Sequence, residues 1–200
     1  MHAARTLPPV ERLWPSGSGR SRILRALVLV LSGTLLLALS AKTQVPFWPV
    51  PMTLQTAALF LIALAYGRKL ALATVALYLL EGIYGLPVFA GTPERGVGLA
   101  YLLGPTGGYL VGFLLAAGIA GWAAERRLGT MALLLALLVA TVAIYLPGVL
   151  WLAGFVGFEK ALAFGAAPFL LGDFVKVLLV VAVARLAFPR LPGRGIDGSA

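Results

Sequence analysis

An all-α, multi-pass membrane protein of six transmembrane helices is the fold this sequence predicts, on three observations. Of its 200 residues 60% are apolar and 12% charged, with a mean hydropathy of +0.98, too hydrophobic for a wetted globular surface. From Ile23 to Phe188 the chain is a series of apolar runs, and each crossing of ~30 Å of hydrocarbon needs ~20 such residues. Lysine and arginine fall between the runs in regular alternation, as the excess of positive charge in cytoplasmic loops requires.

Residues 1–22 carry Arg5, Arg12, Arg20 and Arg22 among Pro, Ser and Gly, with no apolar core of a signal peptide, and are predicted to form a disordered basic cytoplasmic tail. The first span is predicted over Ile23 to Ala41. The connector that follows, from Lys42 to Pro51, holds Pro46, Pro49 and Pro51, which cannot continue a helix, and is apolar enough to fold back onto the bundle. Met52 to Tyr66 and Leu70 to Tyr84 flank Arg68-Lys69 and are predicted as a hairpin of two short spans. A Gly/Pro-rich loop, Gly85 to Leu103, leads to a fourth span from Gly104 to Ala124, which stops at Glu125-Arg126-Arg127. The fifth covers Met131 to Leu152 and the sixth Ala166 to Phe188; residues 189–200 form a short second tail with Arg190 and Arg194. One membrane domain, 23–188, results.

With both termini in the cytoplasm, twelve cations lie inside: Arg5, Arg12, Arg20, Arg22, Arg25, Arg68, Lys69, Arg126, Arg127, Arg185, Arg190 and Arg194. Three lie outside: Lys42, Arg95 and Lys160. That split predicts both the span count and the direction.

Between helices in lipid, small residues that permit close approach replace the hydrophobic effect as the organising force. Gly104, Gly108, Gly112, Ala116, Ala120 and Ala124 recur every four residues, so another helix is predicted to lie along that flank. Ala132, Ala136 and Ala140 repeat the pattern on the fifth span. Ala26, Val30, Thr34 and Ala38 give a looser row on the first, open both to packing within the bundle and to docking of a partner protein.

Several chemistries are excluded by composition. There is no cysteine, and His2 is the only histidine, which removes thiolate catalysis and cysteine or histidine metal sites. The basic residues mark loops and ends and form no aromatic-studded patch, so no nucleic-acid partner is predicted. Gly104-Pro-Thr-Gly-Gly108 is not a Walker loop, because Tyr109 and Leu110 stand where lysine and a hydroxyl residue are needed. No cofactor and no enzymatic activity are predicted, and lipid is the chain's solvent.

Asp173 and Lys176 lie inside the sixth apolar run, where a charge costs ~2.5–3.5 kcal/mol even on insertion scales. Three residues apart they share a helix face and neutralise one another in part. Asp173 is about seven residues, ~10 Å, from the outer end of its span. Glu81 is placed in the outer half of the third span, and Arg95 in the outer loop. Gln55, beside Thr53 and Thr56, opens the second span on that side, with aromatic surface from Phe47, Trp48, Tyr84, Phe89 and Tyr109. Apolar walls with a few convergent polar groups under a proline-stiffened loop are the usual form of a small-molecule site. A proton relay would need an acid in the inner half as well, and the spans have none there.

Four segments in order, Val50-Pro-Met-Thr-Leu-Gln-Thr56, Gly85-Leu-Pro-Val-Phe89, Leu103-Gly-Pro-Thr-Gly-Gly-Tyr-Leu-Val-Gly-Phe113 and Gly172-Asp-Phe-Val-Lys176, resemble the BioY family. Its members are the biotin-specific substrate-binding (S) components of energy-coupling factor (ECF) transporters. The likeness runs from about Ala38 to Arg185. It implies the six-helix S-component fold in a prokaryotic cytoplasmic membrane, with biotin bound near the outer face beneath the first loop. Asp173, Lys176 and Arg95 would meet the ligand, with Glu81, an amide in many relatives, as a departure. Asp173 suits the ureido N–H groups, and either Arg95 or Lys176 suits the valerate carboxylate. The resemblance also implies a transmembrane coupling subunit and two ATPase subunits that alone use ATP. The row Ala26, Val30, Thr34, Ala38 departs from the family's docking pattern by two larger residues. An S component for another vitamin, or a solitary secondary transporter, is the alternative.

Overall fold

A computed structural model describes residues 7–15, 17–45, 49–126 and 128–187. The elements are α1 (Pro9–Leu13), α2 (Arg20–Lys42), β1 (Gln44–Val45), β2 (Met52–Thr53), α3 (Gln55–Tyr66), α4 (Arg68–Ile83), α5 (Leu99–Leu102), α6 (Gly107–Ala124), α7 (Thr130–Val156), α8 (Phe158–Gly165) and α9 (Ala167–Ala187). Among the described residues four stretches are long and apolar enough by themselves to cross a membrane: Arg20–Lys42, Gly107–Ala124, Thr130–Val156 and Phe158–Ala187, which comprises α8 and α9. The hairpin helices are shorter, 12 residues in α3 and 16 in α4, rises of ~18 and ~24 Å. Gly67 makes the abrupt turn between them at φ +77°, a conformation in which a Cβ is disfavoured.

The glycine row of α6 is filled by α7. A Cβ at Gly108 would meet the Pro147 carbonyl and the Trp151 side chain, and one at Gly112 would meet the Ile144 backbone. Ala116 and Ala120 are fully buried below them. On α7 only Ala140 of the predicted alanine row is buried, and Ala132 is exposed. The row on α2 packs within the bundle. Val30 and Thr34 are buried and Ala26 and Ala38 half-buried, so this face packs inward, and Gly33 beside it seats Thr74 of α4. The outward face of α2 is instead Leu24, Leu27, Val28, Leu31, Leu35 and Leu39. The reason is azimuth: the small residues that admit a partner helix also admit a neighbour of the same chain.

Three short helices have no counterpart in the sequence prediction. α5 interrupts the Gly/Pro-rich loop, and α8 precedes the sixth span. α1 falls in the segment expected to be disordered. There Val10 is buried, and the buried Arg25 of α2 binds it through Nη1 to Glu11 Oε1 at 3.0 Å and Nη2 to Val10 O at 3.1 Å. An amphipathic turn with an arginine beneath it thus has both an apolar and a charged anchor.

Several of the described cations sit at the two ends of the bundle. At one end Arg25 holds α1, Glu125 Oε1 accepts from the Arg68 backbone N–H at 3.0 Å, and Arg185 Nη2 donates to Leu128 O at 3.1 Å. Lys42 and Arg95 lie at the other end, on the loops that follow α2 and α4. Arg5, Arg127, Arg190 and Arg194 lie outside the described residues.

Candidate functional site

The loop after α2 returns as a small antiparallel hairpin, with Gln44 opposite Thr53 and Val45 opposite Met52. Between this hairpin and α3, α6, α7 and α9 lies a cavity of about 620 Å³, open space at its mouth included. Val50 to Thr53 form one wall, Ala90 and Tyr101 a second, and Tyr109, Leu110, Phe113, Ile144 and Phe169 supply apolar surface. Gln55, Thr56, Tyr145, Asp173 and Lys176 are the polar lining that faces them from the helices.

Asp173 and Lys176 meet as the i, i+3 spacing predicts, with Nζ 2.7 Å from Oδ1 and both side chains almost wholly buried. Neither is satisfied by the other alone. Oδ1 also accepts from Thr56 Oγ1 at 3.0 Å, Oδ2 accepts from Tyr145 at 2.6 Å, and Nζ donates to Thr53 O at 2.7 Å. The pair therefore links α9 to α3, α7 and the hairpin at once. Such saturation is what a charge at membrane depth requires, since an unpartnered one is costly.

Gln55 is buried and lines the cavity, and its Nε2 donates to Tyr78 OH at 2.7 Å, which in turn donates to Val88 O at 3.0 Å. The loop beyond Val88 is fixed from two sides. Lys42 Nζ donates to Phe89 O, Thr92 O and Thr92 Oγ1 at 3.1, 2.7 and 3.0 Å, using all three of its N–H bonds. Phe89 stacks on Tyr101 at 5.1 Å, and the Tyr101 hydroxyl donates to Ala90 O. Burial raises the Tyr101 phenol above its ordinary value, so this donor keeps its proton through neutral pH.

The other expected site residues lie elsewhere. Glu81 is absent from the cavity lining; Thr34 Oγ1 donates to its Oε1 at 3.0 Å, a contact between α2 and α4. Tyr84 is 85% exposed beyond the end of α4. Arg95 is exposed outside the lining and its Nη1 donates to Pro49 O at 3.3 Å, tying the α4–α5 loop to the hairpin. Trp48 and Phe47 lie outside the described residues. Tyr145, Tyr101 and Phe169 are lining residues that sequence reasoning did not single out. Thr56 was visible as a hydroxyl at the head of α3, whereas Tyr145 and Phe169 sit in apolar runs without any local signal.

Fold and cavity together define a helical membrane protein with a polar-lined cavity between its helices. A crystal structure described as the S-component for biotin from an ECF-type ABC transporter matches with a TM-score of 0.68, covering 86% of this chain and 94% of that one. At 21% identity the match shows a shared fold. The chain belongs to the BioY family, whose model matches residues 11–193. It is 37% identical over 153 residues to a protein named biotin transporter BioY from Thermotoga maritima, covering 76% of this chain and 88% of that one. It is 40% identical over 149 residues to a probable biotin transporter BioY from Pyrococcus horikoshii, covering 74% and 87%.

Proposed function

We propose that this chain binds biotin and is the substrate-specific S component of an ECF-type transporter. The observation that carries the reading is the hydrogen-bond balance at the Asp173–Lys176 pair. A carboxylate offers about four acceptor positions and an ammonium three N–H bonds. Among the described residues three acceptor positions are used, by Lys176, Thr56 and Tyr145, and two N–H bonds, by Asp173 and Thr53. One acceptor position on Oδ2 and one N–H bond on Nζ remain. A cyclic urea presents an N–H beside a carbonyl, which complements that remainder, and the apolar lining suits the rest of the ligand. Lys176 is then engaged by the ureido carbonyl, which leaves Arg95, at the hairpin, as the cation for the valerate carboxylate.

The reading extends to topology and partners. Six spans, with α3 and α4 as the short pair, put both termini in the cytoplasm and the cavity toward the outside of the cell membrane. ATP would be used only by partner ATPase subunits, through a transmembrane coupling subunit. A reporter fusion that places Arg126 outside would overturn the orientation, and failure to co-purify with co-expressed coupling and ATPase subunits would overturn the partnership.

Calorimetric titration of the purified protein with biotin, with thiamine and riboflavin as controls, tests the central claim. Heat with biotin alone is expected. Heat with a control vitamin and none with biotin would replace the assigned ligand.

A further inference from the structure

Tyr145 reaches Asp173 from a different helix. It is half-buried in the middle of α7, lines the cavity, and its ring is held edge-on by Tyr109 at 6.2 Å. The Tyr109 ring is itself fixed, by its hydroxyl to Gly165 O at 2.8 Å and by packing against Gly148. At 2.6 Å from Oδ2 the Tyr145 proton is committed to the carboxylate, a separation in the range of charge-assisted O–H bonds. The phenol oxygen keeps its acceptor capacity. Donation toward the carboxylate polarises the hydroxyl and strengthens that acceptor.

We propose that Tyr145 is a ligand-contacting, specificity-determining residue that accepts one N–H of the bound ring on its phenol oxygen, sharing it with Asp173 Oδ2. The inference rests on the reading of this cavity as a cyclic-urea site. The two N–H bonds of a cyclic urea diverge to opposite sides of its carbonyl. Two acceptor atoms 2.6 Å apart therefore take one of them, while Lys176, on the other oxygen of Asp173, meets the adjacent carbonyl. The site distinguishes the two ureido nitrogens, and Tyr145 is the group that makes it do so. Losing the phenol removes an acceptor and also leaves Asp173 Oδ2 without its donor.

Binding of biotin and of its two singly N-methylated ureido analogues, measured by calorimetry on the parent and on Tyr145→Phe, tests this. The parent should bind one analogue about a hundredfold more weakly than biotin, because a buried acceptor loses its N–H, and the other much less weakly. Tyr145→Phe should bind biotin about tenfold more weakly and lose most of its discrimination between the two analogues. A parent that binds both analogues equally overturns the proposal without recourse to any variant. So does a Tyr145→Phe protein that discriminates as the parent does. A parent that binds no biotin at all overturns the biotin reading instead.

Discussion

Thr34 Oγ1 donates to Glu81 Oε1 at 3.0 Å, joining α2 to α4 away from the cavity. Glu81 is thereby a contact between helices and lies outside the cavity lining. Glu81→Gln keeps an oxygen for Thr34 and should leave biotin affinity within about twofold of the parent. Thr34→Val removes the donor from a partly buried carboxyl and should cost about 1–2 kcal/mol. Titration of both variants beside their thermal melts checks this; a tenfold loss of affinity in Glu81→Gln would return the residue to the site.

The contrast between Glu81 and Asp173 shows what the sequence carried. Distance along a helix is readable, because each residue adds ~1.5 Å of rise. Azimuth is not, because a helix that is apolar all round has no contrast between faces to orient it. For α9 the i, i+3 partner supplied the missing direction, and Asp173 and Lys176 meet in the cavity. Glu81 had no such partner, and the small residues of the α2 row could not tell a neighbour of the same chain from a partner protein; Thr34 faces inward. Tyr145 was silent for the same reason: its role depends on where α7 crosses α9. The longer helices α2, α3, α4, α6, α7 and α9 were legible from hydropathy as helices, while α1, α5 and α8 are short and held by tertiary contacts such as Arg25 to Val10 O.

Removing Asp173 and removing its charge pair should have different consequences. Asp173→Asn leaves the Lys176 ammonium buried beside an amide, and breaking one half of a buried pair costs about 3–5 kcal/mol. Adding Lys176→Met removes the stranded charge, so the double variant should melt above Asp173→Asn alone, a non-additivity expected of groups in contact. Neither should bind biotin. Melting of the single and double variants at the same temperature would show that the pair contributes nothing to the fold.

Lys42 acts on the cavity without lining it. Its three donors hold the carbonyls and hydroxyl of Phe89 and Thr92, and the same loop carries Ala90 into the wall. Lys42→Met preserves the side chain's length and apolar stem but none of those bonds. Amide hydrogen exchange over residues 89–95 should quicken, and biotin should dissociate about tenfold faster because the wall must be reordered on binding. Unchanged exchange in that segment would show that the stacked Phe89 and Tyr101 hold it unaided.

Gly112 and Gly154 offer a matched test of how the bundle is held. In lipid the helices gain little from apolar burial against one another, and close backbone approach takes its place. At Gly112 a Cβ would lie 2.7 Å from Ile144 Cα and 2.8 Å from Ile144 O, so even alanine must push α7 away from α6. Overpacking of this kind costs about 1–3 kcal/mol. Because Ile144 and Tyr145 line the cavity, the displacement reaches the site, and Gly112→Ala should weaken biotin binding as well as lower the melting temperature. Gly154, on the exposed side of α7, has nothing within 4 Å of a built Cβ. Gly154→Ala should therefore raise stability by about 0.5–1 kcal/mol through helix propensity alone and leave binding untouched. Equal melting shifts for the two alanines would mean that α6 and α7 are held by something other than their close approach at Gly112.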